Sequence, residues 1–274
     1  MIEDDLVPPA PAHRDGAAPY RVVGVVHLAA LPGTARGGSA RVLPAILEAA
    51  RRDAETYAIG GVDALIVENF GDVPFPRDHV SAYTVAAMTR AVALLRAETG
   101  LPIGVNALRN DVESAVAVAA AAGGSFVRAN VYVGAAVTDQ GIIEGRAEAV
   151  QALIRQLGAE ISVWADVDVK HAAQFAPRPI GDLAADAVVR GLAGAVIVTG
   201  GGTGQPVAER DLVSVRDVLS RTPIYVGSGE KRETIPALLR HADGIIVGTT
   251  AKMDAVVTNP VDLARVRALV RSAS

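Results

Sequence analysis

The sequence predicts a single (β/α)₈ TIM barrel, and two patterns along the chain lead to this fold class. Eight short apolar runs begin near Val22, Asp63, Pro102, Ser125, Ile161, Gly194, Pro223 and Asp243. Most are continuously apolar, as in parallel strands that are buried on both faces. Every interval between them is long enough for a crossover helix. Eight alternating strands and helices are typical of a closed barrel.

An open, doubly wound sheet is the alternative fold for such a pattern. It more often has fewer strands and a G-x-G-x-x-G loop after the first one. Here the first strand continues as HLAALPG, which lacks that loop. Because the composition does not shift along the chain, we predict one domain over residues 21–274. Residues 1–20 are rich in proline, alanine and acidic residues, and we expect them to form a flexible arm.

The segments between the strands carry apolar residues at helical spacing. One stripe comprises Leu43, Ile46, Leu47, Ala50, Ala54 and Tyr57, with Pro44 in the first turn. A second comprises Val85, Met88, Val92 and Leu95 before Gly100, and a third comprises Ile143, Ala147, Val150, Ile154 and Leu157 before Gly158. Pro260 is predicted to open a last helix that runs through Val270.

Composition narrows the classes of function. The 274 residues are 50% hydrophobic and carry a formal net charge of −4, whereas sequence-independent nucleic-acid binding needs a basic face. Cysteine is absent, which excludes disulfides, thiolate nucleophiles and cysteine metal sites. No apolar run reaches the length of a membrane span, and the first residues do not resemble a secretory signal. We therefore expect a cytoplasmic protein.

The clearest indication of a ligand follows the seventh and eighth strands. The seventh runs into Gly227, Ser228 and Gly229, and the eighth into Gly248 and Thr249. In many barrels these two loops bind a phosphate group, because glycines expose backbone N–H groups and hydroxyls add further donors. Tight turns would need the same glycines, so a purely structural explanation stays open. We predict a small phosphorylated ligand.

The segment ADVDVKH after the fifth strand concentrates charge. On an extended strand Asp166, Asp168 and Lys170 would share one face. A lysine beside carboxylates can transfer protons, form a Schiff base or bind an anion. Asp168-x-Lys170 resembles the start of the D-x-K-x-x-D element of orotidine-phosphate decarboxylase-like barrels, but the last position is Ala173. A structural ion pair at the rim is the alternative.

Two more ionisable residues end strands, His27 the first and Glu68 the second. His27 suits a general acid or base because the unperturbed pKa of histidine is near neutrality. Glu68 suits a base, a metal ligand or a partner of Lys170 or His27. Glu68 and Asp166 are candidate ligands for Mg²⁺, which takes one or two carboxylates, and His27 or His171 would complete a larger metal site. A hydrogen-bonded structural role is the alternative for each.

Polar residues at other strand ends are predicted to bind substrate or phosphate: Asn106, Arg109, Asn130 and Thr199. Arg109 suits carboxylate or phosphate oxygens through its planar fork. Asn110 or Asp111 is expected to cap the next helix. The long polar stretch from Asn130 to Glu144 is expected to be either a lid or a plain loop, in which Asp139 would cap the following helix.

Several blocks of the sequence, taken in order, resemble the BtpA family. They are VVGVVHLAALPG, GGVDALIVENFGDVPF, PIGVNALRND, VTDQGIIEGRA, ADVDVKHAA, AVIVTGGGTG, VGSG and DGIIVGTTAK. The resemblance runs from about Val22 to Val270. The resemblance implies a fold like that of the ribulose-phosphate-binding barrels. The protein after which the family is named has a role in photosystem I biogenesis. The resemblance implies no catalytic residue. Frequent alanine and arginine are typical of a high-GC bacterium, where photosystem assembly is not expected.

These observations lead us to expect an enzyme that acts on a phosphosugar or phosphoribosyl compound. Isomerase, lyase and glycosyl-bond chemistry all stay open. Lys170 would transfer protons or act as an electrophile, positioned by Asp166 and assisted by Glu68 or His27. The alternative hypothesis is a non-catalytic biogenesis or assembly factor. The apolar helices also suggest a homo-oligomer.

Overall fold

A computed structural model of the chain describes residues 20–168, 172–175, 177–200, 207–227 and 231–274. Its barrel strands are β1 (Val22–His27), β2 (Ala64–Glu68), β3 (Ile103–Asn106), β4 (Phe126–Ala129), β7 (Ser162–Val167), β9 (Ala195–Thr199), β10 (Ile224–Gly227) and β11 (Gly244–Val247). A small second sheet contains β5 (Ala135–Thr138), β6 (Gly141–Glu144) and β8 (Ala172–Gln174). The barrel strands pair in parallel in the closed order β1-β11-β10-β9-β7-β4-β3-β2. The predicted TIM barrel is therefore confirmed.

The helices of the described residues cover the outside of the barrel. They are α1 (Leu43–Gly60), α2 (Ala82–Thr99), α3 (Val112–Ala122), α4 (Ala147–Leu157), α5 (Ile180–Ala185), α6 (Glu209–Val218), α7 (Ile235–Leu238) and α8 (Leu263–Ala273). The predicted stripe of α1 is buried throughout, and Gly158 ends α4 with a left-handed φ of 59°. The last helix starts later than predicted, because Asp262 rather than Pro260 caps it.

Aromatic rings fill the lower part of the barrel. Trp164 lies between Phe126 and Tyr225 with ring centroids 3.9 and 4.1 Å away. Tyr20 packs beside this stack, 6.0 Å from Trp164. Of the predicted N-terminal arm, residues 1–19 lie outside the described part of the chain. The stack closes the bottom of the barrel and leaves its upper end for polar side chains.

The stretch from Asn130 to Glu144 is not a plain loop, and its expected role as a lid stays a prediction. Within it β5 and β6 form an antiparallel hairpin, which β8 extends to a three-stranded sheet. Asp139 lies in the hairpin turn, where its carboxylate accepts a hydrogen bond from Gln140. The expected capping role of Asp139 is wrong, since Arg146 occupies the N-cap of α4.

No helix of the described residues combines the length and the hydrophobicity that crossing a membrane requires.

Candidate active site at the barrel mouth

A layer of polar side chains lies at the carboxyl end of the barrel. The apolar residues of the inner core include Val25, Ile66, Phe126, Trp164 and Ile197. Because side chains two positions apart share a strand face, the next inward residues are His27, Glu68, Arg128, Asp166 and Thr199. Strand pairing brings residues that are far apart in sequence to this one layer, as the sequence predicts.

Glu68 is buried in this layer and held on two sides. Its Oε2 accepts a 2.7 Å hydrogen bond from Asn106 Nδ2, and its Oε1 lies 3.9 Å from His27 Nε2. Burial raises the pKa of Glu68 above its ordinary value, while the charge of Arg128 and the Asn106 hydrogen bond oppose that rise. Glu68 thus favours its protonated form more than an exposed glutamate does.

His27 faces Glu68 as a neutral ring. Burial lowers the pKa of His27 to about 3, and the positive charges of Lys252 and Arg128 add to the effect. Its edge packs on Phe70, with ring centroids 4.9 Å apart, and its Nδ1 has no hydrogen-bond partner among the described residues. The imidazole is therefore neutral at neutral pH and resists protonation, so it can orient a neighbouring group through a hydrogen bond at a ring nitrogen.

An ion pair with an attached amide occupies the opposite side of the layer. Arg128 Nη2 lies 3.0 Å from Asp166 Oδ1, and Asn130 Nδ2 donates a 2.6 Å hydrogen bond to Asp166 Oδ2. Both oxygens of Asp166 thus accept hydrogen bonds from nitrogen donors, and magnesium binding by Glu68 and Asp166 stays a prediction. Within the described residues no group of three or more His, Cys, Asp or Glu side chains is arranged to hold a metal.

The role of Arg128 is the feature that the predicted site omits. A signal for it exists in the sequence, because Arg128 follows the inward-facing Phe126 by two positions. Its partner is not readable in the same way, since Asp166 lies on a strand that becomes its neighbour only when the barrel closes.

The glycines proposed for phosphate lie on neighbouring strands. Gly227 ends β10 opposite Ile246 of β11, and Gly248 follows β11 directly. A Cβ atom on Gly248 would lie 2.9 Å from His27 Cε1. Any side chain at this position would therefore displace the imidazole ring of His27. Thr199 is buried, and Thr249 is exposed. Ser228 and Gly229 lie outside the described residues.

The polar residues after β3 have different roles, and two of them, Asn110 and Asp111, are structural. The positive charge of Arg109 opposes the raised pKa of Glu68, and its role in binding substrate stays a prediction. Asn110 exchanges two 2.8 Å hydrogen bonds with the backbone of Val131. Asp111 caps α3 by accepting a hydrogen bond from Ser114 N at 3.1 Å. Of the two alternatives predicted for this cap, Asp111 is therefore confirmed.

The charged segment after β7 differs from its predicted form. The strand ends at Val167, and Asp168 adopts a left-handed φ of 56°. Because Asp168 is not part of the strand, it does not share a strand face with Asp166 as predicted. The carboxylate of Asp168 instead accepts a 2.9 Å hydrogen bond from Gln174 Nε2. Lys170 and His171 lie outside the described residues.

Lys252, in the segment after β11, has a structural role and contacts α1. It is 2% exposed and forms an ion pair with Asp53 of α1. Asp53 also accepts a 2.8 Å hydrogen bond from Val261 N. The pair therefore ties α1 to the segment that leads into α8.

The chain is similar to several known proteins. The solved orotidine 5′-phosphate decarboxylase of Pyrococcus horikoshii has the same fold, with a TM-score of 0.57 and 15% identity over 92% of this chain and 98% of its own. An uncharacterized protein of Pyrococcus furiosus is 45% identical over 91% of this chain and 93% of its own length. The photosystem I biogenesis protein BtpA of Synechocystis is 39% identical over 92% and 87%. The model of the BtpA family matches residues 19–274. The chain belongs to the BtpA family.

Proposed function

We propose that this protein is an enzyme that acts on a small phosphorylated metabolite, a phosphosugar or a phosphoribosyl compound. The observation that carries the proposal is the buried carboxyl of Glu68, held by Asn106 and placed 3.9 Å from the neutral ring of His27. A carboxyl whose pKa is raised by burial takes up and returns a proton nearer neutral pH than an exposed one does, and a neutral imidazole can orient the reacting group through a hydrogen bond. Isomerase, lyase and glycosyl-bond reactions all need such transfers.

The phosphate group is proposed to lie on the two glycine turns. Backbone N–H groups of Gly227, Ser228 and Gly229 would donate to it from one strand, and those of Gly248 and Thr249 from the next. The adjacency of β10 and β11 supports this arrangement. The decarboxylase of the same fold is named for a 5′-phosphate compound, which agrees with a phosphorylated ligand.

The remaining residues are proposed to act around this pair. Lys170 would transfer a proton or act as an electrophile, with the ion pair of Asp166 and Arg128 fixing the charge of its surroundings. Arg109, Asn130 and Thr199 are proposed to contact the substrate: Arg109 by its fork, and the other two by neutral hydrogen bonds.

A thermal-shift screen of phosphosugars and nucleotides tests the proposal. A ligand at 100 times its Kd stabilises the folded state by about 2.7 kcal/mol, which is a clear shift in melting temperature. Turnover of each ligand that responds is then measured. Glu68→Gln should keep the shift and lose turnover, whereas Glu55→Gln on the outside of α1 should keep both. No response to any phosphorylated compound would contradict the proposal.

A second candidate function, a non-catalytic role in assembling another protein complex, is supported by the name of the Synechocystis relative. Apolar side chains are exposed on and beside the small sheet: Val137 at 42%, Ile142 at 45% and Phe175 at 62%. This function predicts a stoichiometric partner whose capture survives Lys170→Ala and Glu68→Ala. Loss of the biological effect in those folded variants would favour the enzyme.

A further inference from the structure

A cavity of about 480 Å³ opens beside the barrel mouth. It lies between the ends of β4 and β7, the small antiparallel sheet and α5, and its lining includes Asn130 and Asp166. A cavity of this size is large enough for part of a metabolite. Because Asp166 also belongs to the polar layer, the cavity and the mouth share a boundary.

Asn130 presents an unused acceptor here. Its Nδ2 must face Asp166, because a carboxylate accepts and does not donate. That contact, 2.6 Å long, fixes the amide and leaves Oδ1 on the other side. Asn130 is 5% exposed, and Oδ1 has no hydrogen-bond partner in the described part of the chain. Buried acceptors are normally paired, so this atom indicates a ligand that donates an N–H or O–H.

The rest of the lining favours an uncharged ligand group. Its walls include the apolar side chains of Tyr132, Val133, Leu183 and Ala187. Two arginines of the lining contact one of its carboxylates: Asp186 lies 2.7 Å from Arg178 and 3.2 Å from Arg190. The other two carboxylates are also engaged, since Asp166 pairs with Arg128 and Asp168 accepts a hydrogen bond from Gln174. With three carboxylates in the lining, an apolar ring with a neutral donor matches it better than a second anion does.

The strand order sets the distance from this cavity to the proposed phosphate position. Only β9 separates the pair β10 and β11 from the pair β7 and β4. Three strand spacings of about 4.8 Å give roughly 14 Å along the barrel wall. A phosphate, a five-carbon sugar and a ring in series would cover such a distance, and a simple phosphosugar would not.

We propose that the cavity holds the end of the substrate that is farthest from its phosphate. That end is an uncharged ring whose N–H or O–H donates to Asn130 Oδ1. The inference rests on the proposed function and narrows its substrate class to ring-bearing phosphoribosyl compounds.

Isothermal titration tests this with ribose 5-phosphate and the 5′-monophosphates of uridine and adenosine. In the wild-type protein at least one ring-bearing compound should bind about tenfold more tightly than ribose 5-phosphate. Ala172→Phe should abolish that gain without weakening ribose 5-phosphate, because Ala172 lines the cavity from β8. Ala173→Phe is the matched control, since Ala173 is exposed and points to the other face of the same strand.

Two results would overturn the inference alone. Ribose 5-phosphate that binds with no gain from either ring would exclude the ring site and leave the phosphate site intact. Equal weakening of both kinds of ligand by Ala172→Phe would also overturn it, because the cavity would then not distinguish the ring from the sugar phosphate. If no phosphorylated probe binds the wild-type protein, the proposed function fails and the inference fails with it. Should circular dichroism show Ala172→Phe to be unfolded, Leu183→Trp, which fills the same cavity from α5, replaces it with the same expected loss.

Discussion

The guanidinium of Arg128 on β4 and the carboxylate of Asp166 on the neighbouring strand β7 form an ion pair in which two guanidinium nitrogens contact the carboxylate. Nη2 lies 3.0 Å and Nε 3.2 Å from the same oxygen, Oδ1. The side chain of Asp166 is 0% exposed and that of Arg128 is 11% exposed. Each charge has therefore lost most of its water and depends on the other. The pair also fixes the amide of Asn130, so it organises both the mouth and the adjoining cavity.

Replacing one member of this pair should be costly. Arg128→Met is expected to lower the free energy of unfolding by about 3–5 kcal/mol, because it leaves the Asp166 carboxylate buried and unpaired. Urea unfolding measures the loss. Arg51→Met, in an exposed ion-pair cluster of α1, should change the free energy of unfolding little. Combining Arg128→Met with Asp166→Leu should recover part of the stability, and a loss no larger than that of the control would contradict this account.

The pKa of His27 predicts a specific loss of stability in acid. The pKa is lowered from 6.5 to about 3 by burial first and by Lys252 and Arg128 second. Below pH 6.5 the unfolded chain therefore binds a proton that the folded chain does not, and stability falls with pH. At about 1.4 kcal/mol per pH unit, roughly 2 kcal/mol is lost by pH 5.

Urea unfolding at pH 8 and pH 5 tests this with His27→Gln as the reference. The stability advantage of the wild-type protein over the variant should shrink by about 2 kcal/mol on acidification. An advantage that is the same at both values would show that the ring titrates normally.

The buried pair of Lys252 and Asp53 should matter for folding. Lys252→Met is expected to lower the free energy of unfolding by about 3 kcal/mol, since it removes a charge partner and loosens α1 from α8. Differential scanning calorimetry or urea unfolding measures the change. Arg52→Met, at a side chain 63% exposed on the same helix, is the control and should change little. Equal effects of the two substitutions would count against a structural role for Lys252.

Gly248 should resist even the smallest side chain. In Gly248→Ala the added Cβ would press on His27 Cε1, and such overpacking typically costs about 1–3 kcal/mol. Gly38→Ala is a suitable comparison, because its nearest contact is the flexible side chain of Val42 at 3.3 Å. Melting temperatures of both variants check the expectation. A Gly248→Ala protein as stable as the wild type would mean that the ring has room to move.

The barrel strands were predictable because they are buried on both faces. Each observed start lies within one residue of its predicted position, from Val22 to Gly244. The hairpin of β5 and β6 was missed because only one of its faces is buried, which gives a weaker alternating pattern. Asp139 and Gln140 before Gly141 are residues typical of a hairpin turn. The polar and glycine-rich composition of the whole stretch favoured an irregular loop instead.

The site was predictable as a set of strand ends but not as a set of contacts. His27, Glu68, Asn106 and Asp166 do lie together at the mouth. Their pairing depends on which strands become neighbours and on how far each strand runs. Thus the contact of Asn106 with Glu68 spans 38 residues, and the early end of β7 removes Asp168 from the expected face. The proposed roles of Lys170, Ser228 and Gly229 stay predictions.

A crystal structure of the protein soaked with ribose 5-phosphate is the most direct test of the phosphate site. The account predicts phosphate oxygens within hydrogen-bond distance of the backbone N–H groups that follow β10 and β11, with the sugar directed toward Glu68. Phosphate bound at another part of the barrel, at a concentration that saturates the thermal shift, would contradict it.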